Sequence, residues 1–156
     1  MTTYVALLRG IMPMDPNMKG DKLKGAFESL GFKDVSTVIA SGNVVFSASS
    51  KNVGALETKI ENGLHQQLGF KRAAIVRSAE HIADLVKKDP FKGVAHGRKN
   101  YLVVTFFKDG AKELCTTLDL DGAGTPDFMR TLEKKHGKDI TTRTWKTVER
   151  IAARMP

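Results

Sequence analysis

The first 77 residues contain two kinds of hydrophobic pattern, in the order strand, helix, strand, strand, helix, strand. Residues 19–30 and 51–68 repeat apolar side chains at three- and four-residue spacing, which predicts amphipathic helices. Short β-branched or apolar runs predict four strands, over residues 4–9, 35–40, 44–48 and 71–77. This order is that of a ferredoxin-like plait (βαββαβ), in which strands one and two run parallel. The order predicts a fold but no function, because plaits host many unrelated activities.

The second part of the chain has weaker strand patterns. Ser78 is predicted to cap a third helix that ends before Pro90, and residues 100–107 (NYLVVTFF) form the one convincing strand. The remaining predictions are a short helix with Leu114, Cys115 and Leu118, a loop over residues 121–126, and helices over residues 128–136 and 143–155. A complete plait needs four strands, so this part is predicted to be reduced.

These patterns predict an α+β chain, with a ferredoxin-like plait over residues 1–77 and a reduced, helix-rich second α+β module over residues 78–156 packed on it. Tyr4, Ala6 and Leu8 make one face of the first strand apolar, and Val5 and Leu7 do the same for the other. Strands buried on both sides have this pattern. The sheet face that the first two helices leave open must therefore be covered, either by the second module or by a second subunit in a homodimer.

Composition restricts the setting and the partners of the chain. Of its 156 residues, 25 are basic and 17 acidic, and the resulting net charge of +8 is shared equally between residues 1–77 and residues 78–156. A basic protein attracts nucleic acid or phosphorylated ligands, although many basic proteins bind neither. The single cysteine, Cys115, permits no intramolecular disulfide and is typical of the reducing cytoplasm. We expect no signal peptide and no integral membrane association, because no apolar run approaches the roughly 18 residues of a membrane span.

Three segments are similar to those of a known family: YVALLRGI at the N-terminus, LGFKDVSTVIASGNVVF in the middle and TTRTWKTVERIA near the C-terminus. With these segments the chain resembles domain-of-unknown-function family 1697 over nearly its whole length. The resemblance implies plait-like modules and a cytoplasmic setting. It supplies no catalytic residues, because it implies no established activity.

Two segments depart from the family pattern. The loop after LLRGI usually resembles NVGG followed by a polar, basic stretch, whereas residues 12–17 read MPMDPN. Members also carry a strand pair before a glycine-rich stretch that ends in Ser-Lys. In this chain Asp119 and Leu120 run almost directly into DGAGTPDF, so we expect that hairpin to be missing and the second module to be shortened. Pro126 and Asp127 then stand in place of Ser-Lys.

The first candidate site lies where the carboxyl ends of strands one and two meet at one edge of the plait. Free backbone N–H groups at a helix start, a guanidinium and glycines that permit close approach can together bind an anion. We therefore predict a phosphate- or carboxylate-bearing ligand at this edge. Alternatively, Ser41, Gly42 and Asn43 form only a good hairpin turn, and Arg9 is only a solvent-exposed strand end. The residues concerned are Arg9, Gly10, Asn17, Ser41, Gly42 and Asn43.

The second candidate site is the predicted start of the last helix, residues 141–144 (TTRT). A threonine suits the N-cap, whereas an arginine in the first turn opposes the helix dipole unless an anion is bound there. We predict that Thr142 and Arg143 contribute to an anion site of this kind. The same predicted helix carries a basic stripe along one face. This stripe could contact a nucleic-acid backbone or an acidic membrane surface, or it could be only the solvated face of the helix. The stripe consists of Arg143, Lys146, Arg150 and Arg154.

No group of residues predicts a reaction. Cys115 has no histidine close to it in the sequence and is expected to pack as a small apolar residue. The histidines lack the spacing of a zinc site, so we expect no metal and no cofactor. The favoured interpretation is a non-enzymatic, cytoplasmic binding module for an anionic partner, either nucleic acid or a phosphorylated metabolite. The alternatives are an enzyme acting on a small anionic substrate at the edge formed by Arg9, Ser41 and Asn43, or a self-associating structural protein.

Overall fold

The first part of the chain forms a four-stranded sheet with two helices, in a computed structural model that describes residues 1–12, 14–39, 42–108, 112–121, 125–137 and 139–155. Its strand order is β2-β3-β1-β4, and every neighbouring pair is antiparallel. Because β1 and β2 both oppose β3, they run in the same direction. A short 3-10 helix (Pro16–Met18) precedes the first α-helix. The elements are β1 (Thr2–Leu8), α1 (Gly20–Ser29), β2 (Lys33–Thr37), β3 (Asn43–Ala48), α2 (Val53–Leu68) and β4 (Ala74–Ser78).

The second part forms a three-stranded antiparallel sheet with three helices, and its strand order is β6-β5-β7. The predicted α+β class is confirmed, since the described residues form two antiparallel sheets and five α-helices. Ser78 caps the third helix as predicted, because its hydroxyl accepts a hydrogen bond from the backbone N–H of His81 (3.2 Å). The elements are α3 (Ala79–Lys88), β5 (Tyr101–Phe107), β6 (Leu114–Leu118), α4 (Thr125–His136), β7 (Ile140–Thr144) and α5 (Trp145–Ala153).

Two predicted helices are wrong. The segment with Leu114, Cys115 and Leu118 is the strand β6, which pairs with β5. The last helix begins at Trp145 rather than Arg143, because residues 140–144 form β7 on the other side of β5. Both segments are rich in threonine, whose branched Cβ favours a pleated strand over a helix. The second part is therefore less helix-rich than predicted, and the stretch before the glycine-rich segment holds at least one strand.

The strand β2 also differs from its prediction, since it covers Lys33–Thr37 in place of residues 35–40. Its pairing with β3 shifts register between Lys33 and Ser36, and Asp34 within this shift has a positive φ of 50°. An irregularity of this kind bends a strand and ends its regular pairing. Residues 122–124 of the predicted loop over residues 121–126 lie outside those described, and the end of that prediction is wrong because α4 already begins at Thr125.

Apolar side chains on both faces of β1 are buried in two different cores. Tyr4, Ala6 and Leu8 pack with residues of α1 and α2. On the opposite face, Val5 and Leu7 pack with residues of α3, β5 and α5. The sheet face that α1 and α2 leave open is thus covered by residues after Ser78. A second subunit is not needed to cover it.

None of the described helices is both long enough and apolar enough to cross a membrane.

Candidate functional site

The end of β1 and the turn before β3 are in direct contact at one edge of the first sheet. The backbone N–H of Leu8 donates to the carbonyl oxygen of Gly42 (2.9 Å). Gly42 has a φ of +84°, and a Cβ added to it would lie 2.7 Å from Cγ1 of Ile11. Only glycine permits both this conformation and this close approach. The two sequence-distant segments therefore meet at one edge, as the direction of β1 and β2 requires.

Arg143 joins this edge to the second sheet. Strand β7 carries Arg143 opposite Val104 of β5 and directs its partly buried guanidinium toward the first sheet. There Nε donates to the side-chain oxygen of Asn43, which is 1 % exposed. Five acceptors of described residues surround the guanidinium: Asn43 Oδ1 at 2.6 Å, Thr141 Oγ1 at 2.6 Å, Leu8 O at 2.8 Å, Thr142 O at 3.1 Å and Gly42 O at 3.4 Å.

The charge of Arg143 has no ionic partner, since no carboxylate of a described residue lies within salt-bridge distance of it. All the acceptors around it are carbonyl, amide or hydroxyl oxygens. Burial lowers the pKa of Arg143 to about 10, because a desolvated charge is disfavoured. A positive charge is thus held at the edge of the sheet without a counter-charge in the described part of the chain.

Arg9 makes a second link between the two sheets. Its Nη1 donates to the carbonyl oxygen of Ile140 (3.0 Å), and its Nη2 lies 2.5 Å from Oε1 of Glu133 on α4. The side chain of Glu133 is half exposed, so this ion pair is screened by solvent. Arg9 is therefore neutralised in the structure, whereas Arg143 is not.

A cavity of about 280 Å³ opens between these two arginines, and we call it the rim cavity. It combines two guanidinium groups, two threonines and the glycine at the end of β1. The one carboxylate among its described lining residues is that of Glu133. Its lining residues are Arg9, Gly10, Glu133, Ile140, Thr141, Thr142 and Arg143.

The structure brings together most of the residues predicted for the first candidate site. Arg9 and Gly10 line the rim cavity, and Gly42 and Asn43 bind Arg143. Asn17 donates instead to the carbonyl oxygen of Leu68 (3.4 Å), so no described contact joins it to Arg143. Ser41 lies outside the described residues.

The second candidate site was predicted at the start of a helix, and that part of the prediction is wrong. Thr142 and Arg143 do line the rim cavity, but they do so from a strand, so no helix dipole acts at Arg143. The basic stripe is accordingly shortened to Lys146, Arg150 and Arg154, which are exposed on or just after α5. A backbone-following stripe of four cations is not present.

Sequence reasoning missed Glu133, which lies 124 residues from Arg9, and it placed Thr141 at a helix start although Thr141 lines the cavity from the strand β7. The threonine-rich run of β7 was the available signal for that strand.

Neither a metal site nor a reactive thiol is seen in the described part of the chain. It contains no group of three or more histidine, cysteine, aspartate or glutamate residues that could hold a metal ion. Burial raises the pKa of the Cys115 thiol, and the charge of Glu113 raises it further. The thiol is therefore protonated at neutral pH and a poor nucleophile, in agreement with the predicted packing role.

The fold and the joined edge define an α+β protein whose two antiparallel sheets share a core and are linked by arginines. The chain belongs to the family described as "Protein of unknown function (DUF1697)", whose model matches residues 1–153. The resemblance seen in the sequence is thereby confirmed. Among solved structures, the chain is similar to a conserved bacterial protein, SP0830, from Streptococcus pneumoniae, with a TM-score of 0.77 and 18% sequence identity over 99% of each chain. At this identity the likeness shows the fold alone. No curated protein matches the chain.

Proposed function

We propose that this protein binds a small anionic molecule in the rim cavity without transforming it, and that a phosphate or carboxylate group of that molecule occupies the cavity. The main observation that supports this proposal is the partly buried Arg143 guanidinium, which has no carboxylate partner among the described residues. Burying a charge without a counter-charge is unfavourable, so an anion beside it stabilises the folded protein.

Contacts within the rim cavity indicate how an anion is accommodated. The longest bond of Arg143, from Nη2 to the carbonyl oxygen of Gly42 at 3.4 Å, is the one that can be redirected most easily. Arg9 supplies a second guanidinium once an anion displaces Glu133. Charge-assisted bonds of this kind are about twice as strong as neutral ones.

Binding is favoured over catalysis because the described lining of the rim cavity contains no histidine, cysteine or serine. A small molecule is favoured over nucleic acid because Arg143 belongs to the cavity and not to an exposed helical stripe. We further propose the ferredoxin-like plait for residues 1–77, supported by the strand order β2-β3-β1-β4, and a second module for residues 78–156. The cytoplasmic setting and the homodimer remain predictions.

The test measures the melting temperature in inorganic phosphate, citrate and a panel of nucleotides and sugar phosphates, against chloride at equal ionic strength. A ligand that binds only the native state raises the melting temperature. We expect at least one phosphate or carboxylate compound to raise it, and Arg9→Ala to reduce that rise. Arg98→Ala is the matched control, because it removes an exposed arginine–carboxylate pair with Asp121.

Glu133→Gln separates a binding role from a structural one. This substitution removes the carboxylate that competes for Arg9, so we expect anions to bind several-fold more tightly. A purely structural ion pair predicts no gain in affinity. The proposal is overturned if no anion in the panel raises the melting temperature of either the wild type or Glu133→Gln. If oligonucleotides bind, with a steep loss of affinity in added salt and a dependence on Arg150 and Arg154, nucleic acid replaces the small molecule.

A further inference from the structure

A second cavity, of about 480 Å³, lies between α3 and the segment that enters β6. It is larger than the rim cavity and shares no lining residue with it. Its apolar wall is formed by Leu85, Pro90 and Cys115. Its other lining residues are the histidine His81 and the charged residues Asp84, Lys88, Lys112 and Glu113.

A histidine–glutamate pair stands in the wall of this cavity. Nε2 of His81 lies 2.5 Å from Oε1 of Glu113, and Nε of Arg77 lies 3.4 Å from the same oxygen. The side chain of Glu113 is only 7% exposed, whereas that of His81 is 44% exposed. The carboxylate is thus held between a buried arginine and an imidazole that reaches solvent.

The protonation of this pair follows from the surroundings of Glu113. Burial by itself raises the pKa of Glu113, but the hydrogen bond from His81, the bond from its own backbone N–H and the nearby positive charges lower it to about 2. Glu113 is therefore ionised at neutral pH and can only accept hydrogen bonds. Nε2 of His81 must then carry the proton. In neutral His81 this leaves the lone pair of Nδ1 for a bound molecule, and no described residue donates to it.

We propose that this cavity is a separate acid–base site, which binds a small molecule with an anionic group and an apolar body and in which His81 accepts a proton from that molecule. Nδ1 of His81 forms the new N–H bond, and the X–H bond of the bound molecule breaks. Its electron pair stays on X, and the imidazolium that forms is stabilised by the carboxylate of Glu113.

The lining residues determine which molecule fits. Lys88 and Lys112 outnumber Asp84, while the charge of Glu113 is balanced by Arg77. The cavity therefore favours a carboxylate or phosphate group, and its apolar wall favours a compact hydrophobic body. In the sequence the site is not visible, since His81 and Glu113 lie 32 residues apart.

The test uses diethyl pyrocarbonate, which acylates neutral imidazole, with modification of each histidine followed by peptide mass spectrometry at about pH 8. We expect His81 to react about threefold or more faster than His65, an exposed histidine on α2 that serves as the internal control, because the hydrogen bond to Glu113 keeps the proton on Nε2 and leaves Nδ1 free to attack the reagent. Glu113→Gln should remove this difference. Equal rates for His81 and His65 in the wild type contradict the proposal.

Protection by anions tests the ligand class. Inorganic phosphate or benzoate, each against chloride at equal ionic strength, should slow the modification of His81 and leave that of His65 unchanged. Lys88→Ala combined with Lys112→Ala should abolish this protection, and both residues are exposed, so the variant is expected to fold. Protection must survive in Arg9→Ala. If it is lost there, the anion acts from the rim cavity and the second site is refuted, as it is if neither anion protects His81.

Discussion

Gly42 and Arg143 together hold the edge at which the two sheets meet. Gly42 allows the turn before β3 to lie against Leu8 and Ile11, and Arg143 then binds the carbonyl oxygens exposed there. A lysine in place of Arg143 would keep the charge but could not reach acceptors on both sheets, because only a guanidinium presents donors in a rigid fork. The geometry of this arginine is thus as important as its charge.

Substitution of Gly42 by alanine tests the edge at the residue scale. A left-handed φ costs an L-residue about 1–2 kcal/mol, and the new Cβ would also collide with Ile11. Gly69→Ala is the matched control, because Gly69 has a similar φ of +79° but nothing within 4 Å of an added Cβ. Urea denaturation should show a larger loss of unfolding free energy for Gly42→Ala than for Gly69→Ala. Equal losses would mean that the close approach to Ile11 is unimportant.

The boundary between β7 and α5 is the element that sequence patterns placed least well. Thr144 ends the strand and caps the helix, since its hydroxyl accepts from the backbone N–H of Thr147 (3.3 Å). Loss of an N-cap threonine costs about 1 kcal/mol. We therefore expect Thr144→Ala to lower the unfolding free energy by that amount. Thr58→Ala, at an exposed position inside α2, should cause little change because alanine is a better helix former. An unchanged free energy of unfolding in Thr144→Ala would argue against the boundary between β7 and α5 at this residue.

The elements of the first part were predictable because each hydrophobic pattern there either extends over many residues or depends only on neighbouring residues. The type of every strand and α-helix over residues 1–77 was predicted, and with it the edge shared by Gly10 and Gly42, whereas the 3-10 helix Pro16–Met18 was not. Strands β6 and β7 were not, because their alternating pattern is short and their stability depends on pairing with β5. The contact of Arg143 with Asn43, 100 residues away, depends on how the two parts pack, which no local pattern reveals.

At the scale of the whole molecule, two buried glutamates give opposite contributions to stability as the pH falls. Glu113 has its pKa lowered to about 2 in the folded state from an unperturbed value of 4.5, so its stabilisation is complete above pH 4.5 and is lost as the pH falls toward 2. Burial raises the pKa of Glu57, although the bond from the backbone N–H of Val76 and nearby cations oppose the rise. Protonation of Glu57 on acidification therefore favours the folded state.

Acid unfolding of variants separates these two contributions. Glu113→Gln should lower the unfolding free energy at pH 7 by up to about 3 kcal/mol and flatten its decline between pH 4.5 and 2. Glu57→Gln should keep that decline or steepen it, because it removes a group whose protonation favours folding. Unfolding by urea at a series of pH values measures both. A Glu113→Gln variant with the wild-type decline would show that Glu113 is not held ionised by Arg77 and His81, and a flattened decline in Glu57→Gln would reverse the assignment of the two carboxylates.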